Sequence, residues 1–396
     1  MIDVTSQRKE TGVSDLTYLN NARLSPCSRS ILQVMEQALQ REYRHGWQEE
    51  EADTVMANVR MALAQLINAT PEEIAIIQSA SYGINVIVNG LSWRKGDNVI
   101  IYDLAYRSIA QTLMRLRDEK EIELRIVRTE DLLLDPVAVI AALDERTRLV
   151  IVDQLPVFCG VPQPVAEIGK LLADTPALFA INATQSVGQL PIDVKELGCD
   201  FLFGTSRKWL RGPRGLGFLY VHQPLIASLR PTNMGYPSGT WVDFEEYEIT
   251  SGIDRFHLGD YPYALLIGLT GSVNYARRVG IENIAERNGM LGGLCRQALS
   301  QIPGVELYDF EQGKTGTVPF NIQGLDARDT VNGLADSGIV TCVIDEAVAL
   351  LGMRKSRQQH VVRASLHYFN DENDIQRLAE SLSAITSKRF QAKLSP

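Results

Sequence analysis

From about residue 50 to 222, short apolar runs alternate with helical patterns. The runs lie at residues 74–77, 98–102, 123–127, 149–153, 177–181, 200–203 and 217–221. Each is rich in Ile, Val, Leu or Phe with little polar alternation, the pattern of strands buried on both faces. Helical periodicity fills most of the gaps, at 82–91, 107–116, 135–143 and 164–172. This alternation predicts a mostly parallel seven-stranded sheet with helices on both sides. Two amphipathic helices are predicted before it, at 29–43 and 51–67.

After Val221 the rhythm changes. The Gly- and Pro-bearing stretch 231–241 reads as loop. Helices are predicted at 262–279 and 281–301, strand-like runs at 305–308, 318–322 and 361–366, and a closing helix at 372–385. The fold class is therefore α/β: a large domain over 18–255, and a smaller C-terminal α+β domain formed by 256–396 together with 1–17. There is no internal repeat.

The 396 residues suffice for two domains and a large core. The formal charge is -9 with no long basic run, which argues against a nucleic-acid partner. No apolar run is long enough to cross a bilayer, and the polar N-terminus lacks a signal-peptide core, so a cytoplasmic protein is expected. The five cysteines are scattered, odd in number and without metal-ligand spacing. The five histidines form no zinc motif, so no metal is expected.

Candidate chemistry sits where the predicted strands end, the usual place for a ligand in an open α/β sheet. Lys208 lies in Gly204-Thr205-Ser206-Arg207-Lys208-Trp209-Leu210-Arg211-Gly212-Pro213-Arg214-Gly215, between two apolar runs. A rigid strand end, neighbouring cations and small residues suit an amine that holds a phosphate-bearing cofactor. A solvated basic turn is the plain alternative. Gln78-Ser79-Ala80-Ser81 enters a helix and offers free N–H groups to a phosphate, or an ordinary N-cap by Ser79 or Ser81. Tyr106 follows the second run, as an aromatic platform or as packing. Asn182-Ala183-Thr184-Gln185 places polar side chains at another buried strand end.

Together these segments resemble the class V aminotransferase family of fold-type I pyridoxal-phosphate enzymes, which includes cysteine desulfurases, isopenicillin N epimerase-like proteins and carbon–sulfur lyases. The resemblance runs from Tyr18-Leu19-Asn20-Asn21-Ala22 to Val362-Arg363-Ala364-Ser365-Leu366. Its most specific part is Ser206-Arg207-Lys208-Trp209-Leu210-Arg211-Gly212-Pro213-Arg214-Gly215, similar to the hercynylcysteine sulfoxide lyase-type branch. The resemblance implies pyridoxal 5'-phosphate as cofactor, bound covalently by Lys208, which also moves the Cα proton. It assigns the phosphate to Ala80, Ser81, Thr205 and Arg207, the ring face to Tyr106, the ring nitrogen to position 182, and the phenolic oxygen to Gln185. Arg363 takes the substrate carboxylate, with Asn21 and Arg214 as further substrate contacts. The segment 255–260, ending in Asp260, is implied to complete a phosphate site across a homodimer.

The chain departs from the family pattern in four places. Asn182 stands where the family has an Asp paired with the ring nitrogen, and a neutral amide cannot provide that charge. The segment 343–357, which carries a sulfur-accepting thiol in desulfurases, has no cysteine, and Cys342 reads as a strand-end core residue. Val157 and Phe158 make the stretch after residue 153 more apolar than in relatives. Asp260 also replaces a Thr. The expected function is β-elimination of an S-substituted cysteine. Transamination, epimerisation or decarboxylation on the same cofactor, and a degenerate member that binds without turnover, stay open.

Overall fold

A computed structural model describes residues 2–13, 15–355 and 359–394. The central sheet has seven strands in the order Ile74–Ile77, Gly217–Val221, Phe201–Thr205, Leu178–Asn182, Thr147–Asp153, Asn98–Tyr102 and Glu123–Val127. Most neighbours are parallel, as the apolar runs predict. Gly217–Val221 is the exception and runs antiparallel to both of its neighbours. A parallel neighbour needs a long crossover, and the stretch 206–216 is too short for one, so the chain turns back as a hairpin. Gly217 is the register partner of Thr205 on one side and of Ile77 on the other.

Four of the seven strands are buried along their whole length, including Ile74–Ile77 at one edge of the sheet, whereas Glu123–Val127 at the other edge is partly open to solvent. Its Glu123 and Arg125 are therefore outward-facing, and Arg125 pairs with Glu123 and Asp144 at 2.8 and 2.6 Å. The helices Arg29–His45 and Glu49–Ile67 pack against Tyr263–Val279. Ser28 caps the first of them by accepting from the Ile31 amide at 3.3 Å.

A second core forms around a four-stranded antiparallel sheet, Val305–Leu307, Thr317–Ile322, His360–Ser365 and Cys342–Asp345. Leu19, Leu291, Cys295, Phe320 and Leu378 belong to that core. N-terminal residues also reach this part of the fold: Thr17–Tyr18 pairs in parallel with Ile339–Val340, and Arg8 meets the buried Asp374 at 2.7 Å. Tyr263–Val279, by contrast, contributes Leu266, Leu269 and Val273 to the large core, although the division at 255 and 256 groups it with the small domain. The two cores part within the helix Ile281–Ser300.

Other stretches also differ from the sequence reading. Residues 231–241 end in a strand, Gly239–Trp241, that forms a hairpin with Tyr247–Ile249. Trp241, Phe244 and Tyr247 stand exposed on it. The segment 343–357 is not a loop: it holds most of the strand Cys342–Asp345 and the helix Leu350–Lys355, while 356–358 lie outside the described residues. Cys342 therefore opens a strand. Among the described residues no helix is long and apolar enough to cross a membrane.

Candidate active site

The C-terminal ends of Thr147–Asp153, Leu178–Asn182 and Phe201–Thr205 open into one cavity of about 350 Å³. That size lies within the usual range for a small-molecule site. Lys208 reaches it from the turn that follows Thr205. The turn is held by several bonds: Ser206 Oγ donates to Pro213 O and Leu216 O, the Gly212 amide donates to Ser206 O at 2.9 Å, and His367 Nε2 meets Trp209 O at 2.9 Å. Gly188, at φ 89°, permits close approach from below. A Cβ there would sit 2.6 Å from the Trp209 carbonyl carbon and the Leu210 nitrogen.

Lys208 is 7% exposed. Burial drives its amine well below the ordinary lysine value; the charges of Arg207 and Arg363 push the same way, and Asp153 opposes them. The side chain thus gives up its proton more readily than an exposed lysine, which favours the nucleophilic amine. The bland alternative of a solvated basic turn does not fit a buried lysine.

At the opposite side of the cavity, Ser79 caps the helix Ala80–Gly90, its hydroxyl accepting from the Tyr82 amide at 3.2 Å. The first intrahelical bonds are made by Tyr82 and Gly83 to Ser79 O, which leaves the Ala80 and Ser81 amides in the terminal turn, where the helix attracts anions. Ala80, Ser81, Thr205, Arg207 and Arg214 all line the cavity. The shared register partner Gly217 brings the 77–81 and 205–208 segments side by side. Arg207 is half-buried and donates to Arg23 O. Burial, followed by the nearby Arg214, lowers its pKa.

The deep wall holds Tyr106, Asn182, Thr184 and Gln185, all lining the cavity. Gln185 is fixed at both ends: its Oε1 accepts from Trp209 Nε1 at 3.0 Å and its Nε2 donates to Ala22 O at 3.1 Å. Trp209 thereby orients Gln185. Beside Asn182 stands a residue that the sequence reading passed over. Asp153 is 2% exposed, lines the cavity and accepts from Asn182 Nδ2. It also accepts from Tyr102 OH at 3.0 Å and from the Tyr106 amide at 3.1 Å. Burial pushes its pKa up to about 6, against the pull of those three donors and of Lys208. A signal for it existed: an acidic residue closing the otherwise apolar run Leu149-Val150-Ile151-Val152-Asp153.

Three candidate residues do not line this cavity. Arg363 is buried just behind its wall, where Nη1 donates to Val157 O and Nη2 to Cys342 Sγ at 3.5 Å. Asn21 is buried in the joint to the small domain, donating to Ser365 O at 2.8 Å and accepting from Ser25 Oγ at 2.7 Å. Asp260 is exposed, at φ 48°. His257 is likewise remote from the cavity and bonded to the Ile76 amide at 3.2 Å, a satisfied buried histidine. On the apolar wall Val157 is joined by Leu155, and Phe158 packs behind, outside the lining.

A buried lysine of lowered basicity, a helix N-terminus flanked by arginines, and a polar wall at strand ends define an α/β enzyme built for a phosphate-bearing carbonyl cofactor. The donors present fit pyridoxal phosphate: Lys208 for the carbonyl carbon, Ala80 and Ser81 for the phosphate, and in the lining a buried Thr184 hydroxyl that meets no protein partner. The chain matches the Aminotransferase class-V family over residues 17–378. It belongs to that family, and its cofactor is pyridoxal 5'-phosphate. A probable cysteine desulfurase of Methanothermobacter thermautotrophicus is 31% identical over 384 residues, covering 94% of this chain and 95% of the relative. The apo structure of a cysteine desulfurase from Thermococcus onnurineus NA1 superposes with a TM-score of 0.92 at 25% identity, covering 98% and 99% of the two chains. The cystine C-S lyase C-DES, solved with its reaction product cysteine persulfide, shares the fold at a TM-score of 0.85 and 24% identity, over 94% and 98%.

Proposed function

We propose that this protein is a pyridoxal-phosphate carbon–sulfur lyase that cleaves an S-substituted cysteine by β-elimination. One observation carries the choice of reaction: no cysteine is among the residues lining the cavity around Lys208, so no protein thiol there is placed to receive sulfur. Cys342 is buried and engaged with Arg363, and Cys27, Cys159, Cys199 and Cys295 are likewise absent from the lining. The sulfur product then leaves in solution.

When bound, pyridoxal phosphate withdraws electrons from the substrate Cα. The chain does the rest. Ala80, Ser81, Thr205 and Arg207 hold the phosphate, Tyr106 covers the ring face, and Gln185 is aimed by Trp209 at the phenolic oxygen. Arg363 exchanges its bonds to Val157 O and Cys342 Sγ for the substrate carboxylate, for which a guanidinium fork is suited. Asn21 acts behind it by fixing the joint to Ser365, and Arg214 guards the mouth. Lys208 Nζ takes the Cα proton, its basicity lowered by burial and by the charges of Arg207 and Arg363. Leu155 and Val157 offer the departing sulfur group an apolar wall. Pyruvate and ammonia are the remaining products.

Assembly as a homodimer and residence in the cytoplasm belong to the same reading. The exposed Asp260 and the exposed aromatic side chains Trp241, Phe244 and Tyr247 support a second copy meeting this face. Light scattering on the purified protein measures that state. The reaction is tested by reconstituting the protein with pyridoxal phosphate and supplying cystine or an S-alkyl cysteine. The lyase forms one pyruvate per thiol-level product released, borohydride fixes the cofactor on Lys208, and Lys208→Ala abolishes both. Keto-acid formation that needs a second amino acid, or alanine as product, overturns the proposal.

A further inference from the structure

Asp153 and Asn182 are register partners on adjacent parallel strands, so their side chains leave the sheet on the same face, side by side. Both line the cavity that Lys208 enters. Among the residues lining it, Asp153 is the one with an acidic side chain, against Arg207, Lys208 and Arg214 with basic ones. Resting on the pyridoxal-phosphate reading of this site, we propose that Asp153 is the carboxylate that keeps the cofactor's ring nitrogen protonated, with Asn182 as its positioning residue. The negative charge that relatives keep at position 182 is carried here one strand over.

Hydrogen-bond polarity favours this arrangement. The Asn182 carbonyl Oδ1 accepts from the Thr184 amide at 3.0 Å, which turns Nδ2 towards Asp153 Oδ1. An amide N–H and a protonated ring N–H are both donors and cannot bond to one another. A protonated ring nitrogen therefore finds its acceptor in Asp153. The carboxylate has capacity for it: Oδ2 takes Tyr102 OH and the Tyr106 amide, while Oδ1 takes Asn182 alone and keeps a lone pair. The groups facing Asp153 are thus Tyr102 from the strand on one side, Asn182 from the strand on the other, Tyr106 at a helix start, and Lys208 from the turn. A cationic ring in contact favours the ionised carboxylate. Asn182 alone would instead offer its N–H to an unprotonated ring, and the two cases predict opposite protonation states.

The test uses the holoenzyme reconstituted with pyridoxal phosphate labelled with ¹⁵N in the ring. The ring ¹⁵N chemical shift reports protonation directly, independent of turnover. The wild type is expected to show a protonated nitrogen near neutral pH, and Asp153→Asn an unprotonated one with cofactor affinity weakened about 10- to 100-fold, the range for a hydrogen bond to a charged group. The exchanged pair Asp153→Asn with Asn182→Asp returns the carboxylate to the neighbouring strand and is expected to restore the protonated shift. An unprotonated nitrogen in the wild type overturns the proposal, even if Asp153→Asn fails to fold. So does a nitrogen that stays protonated in Asp153→Asn. Failure of the wild type to take up the labelled cofactor at all sinks the pyridoxal-phosphate reading itself, and this proposal with it.

Discussion

Replacing Asp153 with Asn in the cofactor-free protein changes how stability depends on pH. The Asp153 carboxyl has an ordinary value of 3.8 when unfolded and about 6 when folded. Its folded-state pKa is raised, so above pH 4 the unfolded chain gives up this proton before the folded one does. The contribution to stability therefore falls as pH rises from about 4 through 6, and levels off beyond. A shift of this size corresponds to about 3 kcal/mol at full ionisation, of which about 2 kcal/mol is lost between pH 4 and pH 8. Asparagine cannot ionise, keeps a carbonyl acceptor for Tyr102 OH and the Tyr106 amide, and forfeits about 1 kcal/mol in hydrogen-bond strength. The variant is thus expected to be slightly less stable than the wild type at pH 4 and more stable at pH 8. Urea unfolding of both proteins across that range measures the difference, which should grow by about 2 kcal/mol in the variant's favour. Parallel pH profiles would refute the reasoning, because they would mean that Asp153 is not held in a desolvated site.

Other perturbations probe the remaining parts. Gly188→Ala places a Cβ 2.6 Å from the Trp209 backbone at φ 89°, and a loss of at least about 2 kcal/mol in urea unfolding, with weaker cofactor binding, is expected; an unchanged midpoint counts against the close approach. Trp209→Phe leaves the buried Gln185 Oε1 without its donor, a cost of about 1–3 kcal/mol in the same measurement, and a cofactor affinity equal to wild type would deny Gln185 its role. Arg363→Lys removes the fork that suits a carboxylate, so kcat/KM for an amino-acid substrate should fall about 10- to 100-fold with cofactor affinity intact. An unaltered kcat/KM would place the substrate carboxylate elsewhere.

Most strands of the large domain were legible because strands buried on both faces read as continuous apolar runs. What that signal does not contain is direction and rank: the reversal of Gly217–Val221 follows from the length of a connection, and of the two edge strands Ile74–Ile77 is buried while Glu123–Val127 is not. Cys342–Asp345 was hidden because four residues alternating between buried and half-buried carry no strong period. At the site, Lys208, Ser81, Gln185 and Asn182 were readable from motif and position. Asp153 could be noticed as an acidic residue closing an apolar run, but its pairing with Asn182, 29 residues away, is brought about only by strand register. Arg363 and Asn21 show the complementary limit. Residue type announces a capacity to bind, while packing decides whether the side chain faces the ligand or the wall behind it.

The register of Gly217 also has a consequence in time. The hairpin that carries Lys208 closes over a short stretch of chain, but Ile74–Ile77 joins its far side only after most of the domain has been threaded between them. Closing so long a loop is entropically costly, and non-local pairings of this kind form late. A slip of one residue there would turn the 77–81 segment away from the lysine. The lysine turn and the anion-binding helix are therefore expected to become one site late in folding, and the rate at which refolding protein gains colour from its cofactor, compared with the rate of backbone folding, checks that order.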